Sequence, residues 1–166
     1  MQSEMRTVVV GVGNEFRHDD GVGWAVVNTL RNRASRGRLA SGTELRICDG
    51  DPVRLIECWD NAVLTVAIDA ARAHPAHPGR VHRMELSARW LAPVATASSH
   101  GFGLGEAWSL ARMLGRLPQR LVLYAVEVAD SSVGRGLSPE VAGVVDAVAD
   151  SVISEITRQR GGPTPG

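Results

Sequence analysis

The chain has 166 residues, 44% hydrophobic and 22% charged, with 18 Lys and Arg balancing 18 Asp and Glu. That length suits one core of ordinary size, and the balanced charge excludes a chain built to grip nucleic acid or an anionic membrane surface. No apolar run approaches the roughly 18 to 20 residues that span a bilayer, and the opening MQSEMRT lacks the pattern of a secretory signal, so a cytoplasmic protein is expected.

Thr7–Val12 is a short apolar run that reads as a buried strand. It enters a glycine-rich turn, GVGNEFRHDDGVG over residues 11–23, which ends on the adjacent carboxylates Asp19 and Asp20. From Val22 to about residue 33 the positions Val22, Val26, Val27 and Leu30 share one helical face, with Arg31 and Arg33 at the end that the helix dipole favours for cations. Residues 44–48 alternate as a strand does. A turn at Asp49, Gly50 and Asp51 follows, and Asp51 reads as an N-cap with Pro52 at the first position of a short helix. Residues 62–68, AVLTVAI, are apolar throughout, which predicts a central strand covered on both faces and ending at Asp69.

Prolines and glycine in ARAHPAHPG predict a loop, and residues 80–86 alternate as an edge strand. Small residues over 92–105, with His100 among them, lead into a helix from about Leu104 to Leu114 that offers Trp108, Ala111 and Met113 for packing. Residues 120–128 form another apolar strand. Ser138 then caps a last helix with Pro139 in its first turn, striped by Val141, Val144, Val145, Val148, Val152 and Ile156. The alternation predicts a single three-layer α/β domain over residues 1–160: a mostly parallel twisted sheet of about five strands with helices on both faces. Residues 161–166 are expected to be a disordered tail.

The turn over 11–23 resembles a dinucleotide loop, but Phe16 stands where the third glycine of G-x-G-x-x-G belongs, and two carboxylates at its mouth repel pyrophosphate. They would attract a cation instead. In open α/β sheets ligands bind beyond the carboxyl ends of the strands, and Asp20, Asp69 and His100 all fall in such loops. Two carboxylates and one imidazole make a three-ligand set for a divalent transition metal with positions left open. Each has a plainer use: Asp20 as a helix cap, Asp69 as a turn former, His100 as a loop histidine. His74 and His77 sit in a proline-rich loop and read as surface residues, and His18 and His82 as solvated ones. Cys48 and Cys58 make no disulfide framework and read as inert buried thiols, Glu57 disfavouring a thiolate at its neighbour Cys58. No G-x-S-x-G elbow supports a covalent hydrolase.

Four segments together resemble the hydrogenase maturation endopeptidases: GVGNEFRHDDGVG after the first strand, Asp69 closing AVLTVAID, SSHGFGL at 98–104, and VGRGLSPEV before the valine-striped helix. The likeness runs from about Thr7 to Ile156. It implies an aspartyl-type endopeptidase that removes a C-terminal extension from the large-subunit precursor of a nickel-iron hydrogenase once nickel is in place. It also implies Asp20, Asp69 and His100 as the catalytic and metal-contacting positions, with nickel supplied by the precursor. Some relatives carry glutamate at the position of Asp20, so the oxygen here is drawn back by roughly 1.5 Å. Asn14 is expected to stabilise the turn, and Asp19 to orient its neighbour or cap the helix. The precursor is the one partner expected, for a monomer that binds neither nucleic acid nor membrane. The competing reading is a non-catalytic nickel or precursor chaperone on the same scaffold, since ligands are displayed without an obvious nucleophile.

Overall fold

In the computed structural model, which describes residues 5–87 and 102–161, the β-branched run Thr7–Val12 forms β1, buried along its whole length. Four further strands flank it: β2 (Thr43–Cys48), β3 (Leu64–Ala71), β4 (Val81–Ser87) and β5 (Arg120–Glu127), in the order β2-β1-β3-β5-β4. All pairings are parallel except β4 with β5, so of the two edge strands β4 is antiparallel and β2 parallel. The predicted single α/β architecture is the one found.

Helix α1 (Val22–Ser35) shares one face of the sheet with α5 (Val145–Gly161), burying Val26, Val27 and Leu30 with Val148, Val152 and Ile156. Helices α2 (Pro52–Trp59) and α3 (Phe102–Leu114) cover the other face through Leu55, Ile56, Trp59, Ala107, Trp108 and Ala111. The Asp51 carboxylate caps α2 by accepting from the Val53 and Arg54 N–H groups at 3.0 and 3.1 Å. Met113, expected to pack, is 84% exposed because α3 turns it away from the sheet. Among the described residues no helix is long and apolar enough to cross a membrane.

Two sequence expectations are corrected. Strand β3 does not end at Asp69; it runs on to Ala71, with Asp69 opposite Ala125 and Ala71 opposite Glu127. A neighbouring strand that continues offers ladder hydrogen bonds past the first polar residue, so the partner sets the strand end. The closing helix is two helices, α4 (Pro139–Ala142) and α5, separated at Gly143 and Val144. Ser138 makes no side-chain cap to α4; its hydroxyl is drawn to Asp19 instead. Helix α5 extends through Gly161, the first residue of the expected tail.

Glu155 of α5 is buried and accepts from Arg83 Nε at 2.5 Å and from the Tyr124 hydroxyl at 2.8 Å, tying the edge of the sheet to the helix. Burial acts to raise Glu155, but Arg83 and Tyr124 outweigh it and hold the carboxylate below its ordinary value. Burial and then the Glu155 bond push Tyr124 up to about 12. Tyr124→Phe removes one bond to a buried charge, so urea denaturation is expected to show a loss of about 1.5 to 3 kcal/mol.

Candidate functional site

The chain passes from β1 to β2 on one side and returns to β3 on the other, so the sheet's switch point lies between β1 and β3. At that point the glycine-rich segment leaves β1, forms a 3-10 turn over His18–Gly21 and enters α1. The glycines make the fit. A Cβ on Gly11 would fall 2.3 Å from the Gly23 carbonyl oxygen, and one on Gly23 would fall 2.5 Å from that of Ile68. These are backbone atoms that cannot swing aside, so α1 seats on β1 and β3 only where side chains are missing. Gly23→Ala is expected to lower the thermal midpoint, with a loss of about 1 to 3 kcal/mol or more. Gly13, at φ 130°, turns the loop and donates its N–H to the Cys48 carbonyl at 2.9 Å.

Within the loop, Asn14 serves the turn, as expected. Its side-chain oxygen accepts from the Phe16 N–H at 2.9 Å, and its own N–H donates to Asp20 Oδ2 at 2.9 Å. Asp20 is therefore not the cap of α1, whose N-cap is Gly21. Asp69, on β3, lies close enough to Asp20 to feel its charge. Part of its surface reaches solvent, and the hydrogen bond it accepts among the described residues is from the Ala70 N–H at 2.8 Å. Loss of hydration and then the charge of Asp20 push Asp69 up to about 8, against the pull of that N–H. A divalent cation near two such carboxylates would favour their ionised forms. Among the described residues no group of three or more His, Cys, Asp or Glu is arranged to hold a metal. His100, the expected third ligand, lies outside the described residues.

Asp19 behaves differently from its neighbour. It is 0% exposed and accepts from the N–H groups of Ala129, Asp130 and Ser138 at 2.9, 3.0 and 2.6 Å, and from the Ser138 hydroxyl at 2.9 Å. Burial acts to raise its pKa, but these bonds prevail and lower it. Asp19 thus does not cap α1; it clamps the first loop, which carries Asp20, to the segment after β5. The same seam carries the Arg17–Gly134 bridge, with the His18 N–H donating to the Gly134 carbonyl and the Gly134 N–H to that of Phe16, at 2.9 and 2.8 Å. In the sequence the only signal for such a clamp is the adjacent pair of acids, because its partners lie over a hundred positions away.

Three further expectations change or gain detail. His18 is not simply solvated: its ring packs on Gly134, with Nδ1 3.0 Å from the Gly136 carbonyl oxygen. His82 Nε2 lies 2.7 Å from buried Glu127. His74 and His77 are exposed, as expected. Cys48 and Cys58 are buried and unbridged, yet unequal: a bond from Cys58 lowers the Cys48 thiol, and the same bond raises Cys58.

No protein-family model and no curated protein sequence matches the chain. Solved structures do. The hydrogenase maturating endopeptidase HybD from E. coli is 25% identical, with a TM-score of 0.75 over 95% of this chain and 94% of that one. The chain has the fold of the hydrogenase maturation endopeptidases. The hydrogenase 2 maturation peptidase from the Thaumarchaeota archaeon SCGC_AB-539-E09 is also 25% identical, with a TM-score of 0.69 over 91% of this chain and 97% of that one. The [NiFe] hydrogenase maturation protease HybD from Thermococcus kodakarensis shares the fold at 22% identity and a TM-score of 0.72, over 91% of this chain and 99% of that one. The resemblance drawn from the four sequence segments and the likeness to the maturation endopeptidase fold therefore agree.

Proposed function

We propose that this chain is an endopeptidase that removes the C-terminal extension of a nickel-iron hydrogenase large-subunit precursor after nickel insertion, acting as a cytoplasmic monomer. The reading is supported by two neighbouring carboxylates, Asp20 and Asp69, at the switch point of a fold shared with hydrogenase maturation endopeptidases. Nickel belongs to the substrate in this reading, arriving with the precursor. Asp20, Asp69 and His100 then complete its coordination with two carboxylates and an imidazole, and bring the scissile peptide beside them.

Asp69 suits this role in a further way. With its pKa pushed up to about 8, it holds a proton near neutral pH in the free protein. Arrival of a dication beside the pair favours the carboxylate, so the proton is released only when a loaded precursor docks. An empty precursor does not trigger that change, which accounts for selectivity without a pocket that reads sequence.

The test is mass spectrometry of the cognate precursor, with and without nickel, after incubation with this protein, Asp20→Asn or His100→Ala. Loss of a C-terminal peptide only with nickel and only with the unaltered protein is the expected result. A precursor that is bound but never shortened would instead mark a chaperone.

A further inference from the structure

Several arginines of this chain are neutralised where they stand: Arg6, Arg33, Arg54, Arg83, Arg116 and Arg120 each hold a carboxylate in a salt bridge. Three exposed arginines gathered near the carboxylate pair have neutral partners instead. Arg17 donates to the Ser131 carbonyl at 3.1 Å, Arg72 donates to the Ser131 hydroxyl, and the Arg135 guanidinium lies 4.6 Å from the centre of the Phe16 ring. All of these partners are neutral, so among the described residues no ion pair compensates the three charges. The nearby Asp130 carboxylate is taken up by the N–H and hydroxyl of Ser132 at 2.8 and 2.6 Å.

Two apolar side chains share this rim. Phe16 is 48% exposed and Val133 is 85% exposed, on loops that the Arg17–Gly134 bridge and the Asp19 clamp hold side by side. An aromatic ring with arginine stacked on it, presented on a loop that cannot collapse, has the composition of an interface hot spot. Because the fold already orders these loops, little conformational freedom is left to lose on docking. The rim is also continuous with the proposed site. The Arg17 carbonyl accepts from the Asp20 N–H at 3.1 Å, and Arg72 follows Asp69 by three residues.

We propose that Phe16, Arg17, Arg72, Val133 and Arg135 form the surface on which the hydrogenase precursor docks, and that the segment received there carries carboxylates around an apolar side chain; this rests on the processing reading above. The unpaired guanidiniums offer carboxylates forked, charge-assisted bonds. The Asp20 carboxylate repels the same carboxylates, which keeps an acidic segment on the rim and out of the centre. The rim therefore sets the position of the precursor, while the pair acts on it.

The experiment measures binding of purified nickel-loaded precursor to the immobilised full chain at low and high salt, beside the kinetics of precursor cleavage. The variants are Phe16→Ser, Arg135→Gln and the double change Arg17→Gln with Arg72→Gln, with Arg36→Gln at the far end of α1 as the control. Each rim variant is expected to weaken binding and raise KM roughly tenfold with kcat retained. The arginine variants should also lose most of the salt dependence, and the control should match the unaltered chain. Rim variants that bind and cut like the unaltered chain would overturn the rim and leave the processing reading intact. A precursor bound through the rim but never shortened would support the rim and overturn processing, whereas one neither bound nor cut would overturn both.

Discussion

Asp19→Ala is expected to lower stability by about 3 to 5 kcal/mol, the usual scale for removing one partner from a buried, fully bonded charge. Three N–H groups and a hydroxyl converge on this carboxylate, and alanine leaves them facing a void from which water is largely excluded. Urea denaturation at pH 7 measures the loss as a shift in midpoint at nearly constant slope. The effect has a direction in pH. Asp19 is lowered in the folded protein from an ordinary value of 3.8, so its contribution is present above that value and is lost as the pH falls through the folded one. The unaltered chain should therefore approach Asp19→Ala in stability under acid conditions. Asp130→Ala, which removes only two exposed turn bonds from Ser132, should stay within about 1 kcal/mol. Asp19→Ala should also reduce precursor cleavage, because the loop that carries Asp20 loses its attachment to the segment after β5.

Asp69→Asn should do the opposite to stability while abolishing cleavage. Asp69 is raised from 3.8 to about 8, so folding favours its protonated form. Stability from this group is complete below pH 3.8, declines as pH rises, and is gone above about 8. An asparagine carries no charge to bury. Asp69→Asn should therefore match the unaltered chain near pH 4, exceed it increasingly toward pH 8, and hold a constant advantage beyond. The gain at neutral pH is on the order of a few kcal/mol, read from thermal or urea unfolding across that range. Loss of activity with a gain in stability marks a residue retained for chemistry at a cost to the fold. Equal stability curves for the two proteins would mean that Asp69 is not strained by burial and by Asp20, and would remove the main support for its role in proton transfer.

Much of this was legible in the sequence because the signals are local. The apolar run of β1, the helical spacing of Val22, Val26, Val27 and Leu30, and the Asp51–Pro52 start of α2 each depend on a few neighbouring residues, and each appears in the structure. The expectations that changed concern residues whose partners are remote. Ser138 has the residue type and position of a helix cap, but the Asp19 carboxylate, 119 positions away, takes both its N–H and its hydroxyl. Asp69 reads as a strand end because it is the first polar residue after an apolar run, yet β5 carries the pairing two residues further.

The sequence alone determined the α/β class, the run of strands and helices and the candidates Asp20 and Asp69, since periodicity, glycine placement and residue chemistry are written along the chain. Tertiary structure alone decided how two adjacent aspartates divide their work. Asp19 is enclosed by donors from a distant loop, which favour its charge, whereas Asp20 is left near Asp69, where its charge opposes ionisation of Asp69. The two side chains are identical, so only the groups that folding brings around them could set one to hold the loops together and leave the other beside the proposed reaction.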